Sequence, residues 1–212
     1  MTLLQSPSWQ TLVLASSSPR RRELLSQIGV QFEVVVQPVD EAQFPEESPV
    51  DYVCRLARAK AAVVNEQERQ GQGRPVLGAD TIVVVDSLVL GKPQDRDDAV
   101  RMLTLLSGRR HQVMSAVCLM QGDRSDLRLS SSVVGFRPLS ATDIQDYWQS
   151  GEPTGKAGAY AVQGLGALFI NSLEGSYSGV VGLPLYETAE LLAAYSVATL
   201  LDVPVMAQGS MA

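Results

Sequence analysis

The stretch from Thr11 to Gly29 limits what this chain can fold into more than any other. Thr11-Leu12-Val13-Leu14 is a short apolar run of the kind a buried strand shows. Leu24, Leu25 and Ile28 then keep helical spacing until Gly29, a residue suited to the position just past a helix. Between them lies Ala15-Ser16-Ser17-Ser18-Pro19-Arg20-Arg21-Arg22-Glu23. Ser18 suits an N-cap, and Pro19 suits the first helical position, where a missing N–H costs nothing. The chain therefore opens on strand, tight polar loop and helix. Its charge is unusual. Three arginines crowd the first helical turn, where the macrodipole disfavours each cation by roughly 0.3–1 kcal/mol. A bound anion would reverse that sign, because free N–H groups, serine hydroxyls and guanidinium forks all suit phosphate. At this point three solvated arginines on a surface turn would read the same way.

The remaining bounds are broad. With 212 residues, 45% of them hydrophobic, the chain can bury one large α/β core or two small lobes. No linker or internal repeat divides it, so a single domain over residues 1–212 is expected. The net charge of -6 disfavours nonspecific binding to nucleic acid or anionic membrane, so any polyanion site must be a local basic pocket. Cys54 and Cys118 sit in apolar contexts and are expected to be reduced core residues. No apolar run approaches the roughly 18 residues of a membrane span, and no secretory leader is legible, so a cytoplasmic location is expected.

Phe32 to Val36 reads as a second strand, running into the acidic loop Pro38-Val39-Asp40-Glu41. Ser48-Pro49-Val50-Asp51 has the pattern of a capping box with proline at the first helical position. In the helix that follows, Lys60 falls on the apolar stripe of Val53, Leu56, Ala57 and Val64. A lysine there either snorkels to solvent or points into a polar cavity. Glu66 to Arg74 reads as a polar loop. Pro75 to Val85 is the most apolar strand in the chain, and Asp80 interrupts it. A buried carboxylate needs a cation, strong donors or a proton; the apolar flanks favour that reading over an aspartate facing water. Asp86-Ser87 turns into Leu88-Val89-Leu90, followed by Gly91-Lys92-Pro93. A helix over Asp97–Leu106, strands over His111–Leu119 and Leu127–Phe136, and a capping box at Ser140–Asp143 come next. Glu152 to Gly166 is glycine-rich. Leu168-Phe169-Ile170 reads as a strand, Gly175 to Gly179 as a polar loop, Pro184 as a helix start, and the residues after Pro204 as a frayed tail.

Several chemistries are excluded. Gly155-Lys156-Ala157 lacks the upstream glycine and the hydroxyl of a P-loop. No strand leads into Gly-x-Gly-x-x-Gly, and Gly175–Gly179 is no nucleophile elbow. One histidine, His111, cannot build a histidine-rich metal site. What remains is a set of carboxylates (Asp40, Glu41, Asp80) and a set of cations (Arg20, Lys60, Lys92, with Lys156 a further candidate). Such carboxylates suit a hard ion, and the cations with small hydroxyl residues suit a phosphate chain. Metal-assisted phosphoryl chemistry fits better than acyl transfer.

The blocks Leu14-Ala15-Ser16-Ser17-Ser18-Pro19-Arg20-Arg21, Gly78-Ala79-Asp80-Thr81-Ile82-Val83 and Gly91-Lys92-Pro93 match a known pattern. So do Leu106-Ser107-Gly108 to Ser115, Lys156-Ala157-Gly158-Ala159-Tyr160 to Gln163-Gly164, and Gly175-Ser176-Tyr177-Ser178 to Leu185. In this order, over nearly the whole chain, the sequence resembles the Maf-like nucleoside triphosphate pyrophosphatases, historically named for bacterial septum formation.

The resemblance implies an α/β fold of the Maf/ITPase-like type: a mixed, elongated, curved sheet flanked by helices, with a nucleotide cleft between two lobes. It implies hydrolysis of a nucleoside triphosphate to the monophosphate and pyrophosphate with a divalent cation, Mg2+ or Mn2+, by a homodimer. Carried over by position, Asp80 is the catalytic carboxylate, with Lys60 and Lys92 facing the phosphate chain. Glu41 and Asp80 stand beside the metal. Ser16 and Arg20 lie in the phosphate loop, and Ser18 and Arg21 are further candidates to bind substrate. Arg20, Thr81 and Gln163 match positions tied to substrate choice in the branch acting on dTTP and UTP, and the Ser-Pro-Arg-Arg and Ala-Asp-Thr forms favour that branch. Ser115 departs from a more usual threonine but keeps the hydroxyl. A 7-methyl-GTP specificity, or a nucleotide-sensing role in cell division, are the alternatives.

Overall fold

Alternation along Val76–Val85 (β3) decides how the molecule is layered: its odd-numbered side chains face one side of the sheet and its even-numbered ones the other. In the computed structural model, which describes residues 10–202, β3 lies inside a mixed sheet. The other strands are Leu12–Leu14 (β1), Phe32–Val34 (β2), Leu88–Leu90 (β4), Arg110–Gln121 (β5), Arg124–Phe136 (β6) and Ile170–Glu174 (β7). Among the described residues the order is β2-β1-β3-β5-β6-β7, with β4 also paired to β3. β1 runs parallel to β2 and β3, and the other pairings are antiparallel. The helices are Pro19–Gln27 (α1), Pro49–Gln70 (α2), Arg96–Leu106 (α3), Ala141–Gln149 (α4), Tyr177–Val181 (α5) and Leu185–Ala194 (α6).

On the even face of β3, Val76, Ile82 and Val84 pack with Met114, Ala116 and Cys118 of β5 under the α2 stripe of Val53, Ala57, Ala61 and Val64. On the odd face there are two cores. Leu77 and Ala79 join α1 and α6, whereas Val83 and Val85 join α3 and α4. Between those cores the rung of the β3–β5 ladder is Thr81 opposite Ser115. Their hydroxyls lie 2.8 Å apart, and Ser115 donates to Gly179 O at 2.6 Å. This polar pair lies between the two apolar clusters of that face, which meet through Ile170, Leu173 and Val180.

The expected mixed sheet, the Asp86–Ser87 turn with both φ positive, and the capped starts of α2 and α4 are all present. Three expectations need correction. The polar stretch after Val64 continues α2 to Gln70, because Asn65 and Glu68 are buried against partners: Asn65 donates to Gly122 O at 2.9 Å, and Glu68 pairs with Arg74 at 2.8 Å. Leu168–Phe169 is part of a 3₁₀ turn over Leu165–Phe169, and the strand starts only at Ile170. The glycine-flanked loop at Gly175 already contains a helix start, since Ser176 Oγ accepts from Gly179 N at 3.0 Å. Cys118 is buried and Cys54 half-buried, both as free thiols. The expected tail after Pro204 lies outside the described residues.

His111 is buried in the second odd-face core, its ring 5.0 Å from Phe136 and 5.5 Å from Tyr160, with Nε2 2.8 Å from Tyr160 Oη. Burial pushes its pKa down to about 4. The unfolded chain, with an ordinary imidazole near 6.5, therefore binds more protons between these values, and stability falls as pH drops through that window. Urea unfolding at pH 7 and pH 4.5 is expected to cost the natural chain roughly 2–3 kcal/mol more than His111→Phe, the arithmetic of two pH units. Equal losses in both proteins would contradict the assignment.

Candidate active site

The β1–α1 turn aims Arg21 inward because Arg21, Leu24 and Leu25 share one helix face and are all buried. Its guanidinium donates from Nε to Gly182 O at 2.8 Å, from Nη1 to Ser16 Oγ at 3.0 Å and from Nη2 to Thr81 Oγ1 at 3.3 Å. No carboxylate of the described residues forms an ion pair with it. Burial lowers its pKa, opposed by the negative field of Asp80. Arg20 is half-buried, and its Nε is enclosed without a hydrogen-bond partner. Burial also lowers the Arg20 pKa, with Glu23 opposing. Arg22 points to solvent. Two cations desolvated this far are in want of an anion.

The rest of the lining sets two carboxylates against two lysines. Asp80, 9% exposed, comes from the even face of β3, directly under α2. Lys60 Nζ lies 2.7 Å from Asp80 Oδ1 and 2.6 Å from Glu41 Oε1. The stripe lysine thus points into a polar cavity and does not snorkel. Lys92, mostly exposed after β4, stands 3.8 Å from the other Glu41 oxygen. Burial alone would raise the Glu41 pKa, but the Lys60 hydrogen bond and the charges of Lys60, Lys92 and Arg21 carry it below the usual carboxylate range.

Glu41 stands on a loop with no secondary structure, and two residues of α2 fix it. Tyr52 Oη donates to Glu41 O at 2.8 Å. Arg55 donates to Ala42 O at 2.8 Å, grips Glu47 with two bonds of 2.6 and 2.8 Å, and lies 4.0 Å over the Phe44 ring. Sequence reasoning missed both. The signal available was an aromatic–arginine set on the first turns of α2 facing an acidic loop.

A cleft of about 490 Å³ brings these parts together. Ser16, Ser18, Arg20 and Arg21 line its basic side. Glu41, Lys60, Asp80 and Lys92 line the other, Thr81 lies between, and Gln163 opens onto it from the loop after Tyr160. Lys156 also lines it, held near Arg20, with its pKa lowered by burial and by that neighbour. Asp40 is absent from the lining; its Oδ1 accepts from Ala42 N at 2.9 Å and caps its own loop.

The family model described as Maf-like protein matches residues 11–195. The chain belongs to the Maf-like family. Among curated relatives of this Maf-like chain, "dTTP/UTP pyrophosphatase" of Photobacterium profundum is 53% identical over 181 residues, 84% of this chain and 92% of the relative. Its namesake in Pseudoalteromonas atlantica is 50% identical over 188 residues, 88% of this chain and 98% of the relative. That of Bordetella avium is 51% identical over 187 residues. A solved Ham1 protein of Staphylococcus aureus overlaps 60% of this chain and 72% of its own at TM-score 0.44 and 13% identity.

Two details of the Maf-like site concern how its basic loop is held. Ser18 occupies the N-cap of α1, but its side chain makes no capping bond; its N–H instead donates to Ser16 Oγ at 3.3 Å. Arg21, a candidate substrate-binding residue, has three of its five N–H groups committed to the protein. It ties Ser16, Thr81 and Gly182 into one frame and lines the cleft.

Proposed function

We infer that this Maf-like protein hydrolyses dTTP and UTP to the nucleoside monophosphate and pyrophosphate. The observation that carries the inference is that one cleft gathers two desolvated arginines and a carboxylate–lysine chain. Arg20 and Arg21 are desolvated on one side, and an Asp80–Lys60–Glu41 chain of 2.7 and 2.6 Å contacts faces them. A triphosphate laid between would satisfy the arginines and Lys92. Attack of water at the α-phosphorus expels pyrophosphate, whose charge Arg20, Lys60 and Lys92 neutralise. Asp80 orients that water and takes its proton, while Lys60 holds the carboxylate in place. Gln163 carries both an amide donor and an acceptor, as a uracil or thymine edge requires.

A divalent cation fits the donor set. Glu41 and Asp80 already converge on one ammonium, and Mg2+ is commonly held by one or two carboxylates with substrate phosphates completing its shell. Among the described residues no group of three or more His, Cys, Asp or Glu side chains assembles, so the substrate would have to supply the remaining ligands. When bound, the ion would neutralise phosphate charge and lower the pKa of coordinated water. A homodimer and a cytoplasmic setting belong to the same reading; none of the described helices is long and apolar enough to cross a membrane.

Incubation with a panel of dTTP, UTP, the other common triphosphates and 7-methyl-GTP, with product separation, tests the assignment. Pyrophosphate and monophosphate from dTTP and UTP, lost on adding a chelator and regained with Mg2+ or Mn2+, are expected. Orthophosphate as the product, or preference for 7-methyl-GTP, would overturn it.

A further inference from the structure

Gln163 is exposed on a turn, yet a selective contact needs a fixed side chain. The turn is gripped from behind by Tyr147 at the end of α4 and Glu152 just past it, neither of which lines the cleft. Glu152 Oε2 accepts from Leu165 N at 2.9 Å, and Oε1 accepts from Gly166 N at 3.0 Å and from Tyr147 Oη at 2.8 Å. A carboxylate can only accept, so the tyrosine proton must point at it. Tyr147 Oη is then left as the acceptor for Ala161 N at 3.1 Å. One hydroxyl and one carboxylate therefore hold the backbone at residues 161, 165 and 166, on both sides of Gln163. The fit is close: a side chain on Gly164 would overlap the Glu152 carboxylate, and one on Gly166 would come within 2.8 Å of Tyr147 Oη. Tyr147 itself is 4% exposed and wedged edge-on against Phe169, with ring centroids 4.9 Å apart.

We propose that the Tyr147–Glu152 pair sets nucleobase selectivity by fixing the turn that carries Gln163, without touching the nucleotide. It is a positioning pair, and it rests on the reading that Gln163 meets the base edge. Glu152→Gln keeps the shape but puts an NH2 where three donors already converge on two oxygens. Tyr147→Phe keeps the ring and deletes the relay.

The test compares kcat and KM for dTTP and dATP, and inhibition by inorganic tripolyphosphate, which has no base. In both variants the dTTP preference in kcat/KM is expected to fall about tenfold, through KM more than kcat. Tripolyphosphate inhibition should not weaken, because Tyr147→Phe leaves every charge in place and Glu152→Gln removes only a carboxylate near Lys156. The double variant should be no worse than Glu152→Gln alone, since both changes open one device. Gln163→Ala is the reference. If it abolishes the preference while folded Tyr147→Phe and Glu152→Gln keep theirs, the positioning role fails and the base reading stands. If Gln163→Ala leaves the preference unchanged, the base reading fails and the positioning role with it. Weakened tripolyphosphate inhibition in the pair variants would mean a general loosening of the cleft and would overturn the proposal. Should Glu152→Gln not fold, Tyr147→Phe carries the same comparison.

Discussion

Asp80→Asn is expected to lower kcat for dTTP hydrolysis by about a thousandfold or more, within the range that a positioned general base contributes. Asparagine keeps the side-chain shape but cannot take a proton from water. The fold should survive, because the Lys60 ammonium keeps its second partner, Glu41, at 2.6 Å. Substrate binding should survive as well. Asp80 supplies part of the negative field felt by buried Arg21, so removing it makes a polyphosphate more welcome there, and KM should be unchanged or lower. Saturating kinetics with pyrophosphate detection, a thermal melt and calorimetric binding of dTTP to the variant separate these effects. A variant that turns over within about tenfold of the natural chain would remove Asp80 from the chemistry. One that has lost both binding and its melting transition would make it a structural residue.

The parts of this site that sequence alone exposes are those where chemistry conflicts with local pattern. Asp80 inside an apolar strand and Lys60 on an apolar helix stripe each carry a desolvation cost that only a partner can offset, and the two prove to be each other's partner. The capped starts of α2 and α4 are equally legible because their partners stand within three residues. Residues whose partners are distant in sequence are not. Glu68 and Asn65 look like surface polar residues until Arg74 and the carbonyl of Gly122 are folded against them. Three consecutive arginines offer three directions. The inward one is decided by its spacing to Leu24 and Leu25. The 3₁₀ turn at Leu165 depends on a carboxylate thirteen residues earlier, at Glu152. The family resemblance covers these gaps in function but not in geometry, since it names positions without saying which neighbours hold them.

Gly78→Ala is expected to destabilise the protein by about 3 kcal/mol, the upper end of overpacking costs, and to lower the melting temperature by roughly 6–12 °C. Gly78 faces α2 from β3. A Cβ there would lie 2.5 Å from Ala61 N and 2.9 Å from Ala61 Cβ, and would overlap Ala57 O. Two of those three atoms are helix backbone, so no rotamer change relieves the clash, and α2 must lift away from the strand. Lys60 is the residue before Ala61, and Asp80 is the next residue on the same face of β3, so the shift that relieves the overlap also opens the 2.7 Å pair between them. Activity should therefore fall with stability, even at temperatures where the variant is fully folded. Adding Ala61→Gly should recover only a minor part of the loss, because the clash with backbone N and O remains. Gly91→Ala, where a new Cβ meets nothing within 4 Å, is the stability control and should melt with the natural chain. Full restoration by Ala61→Gly would show that side-chain crowding alone sets the spacing of α2 on β3. A near-neutral Gly78→Ala would show that the helix can shift without disturbing the acid–lysine pair, and the close backbone approach would then not be what brings the two charges together.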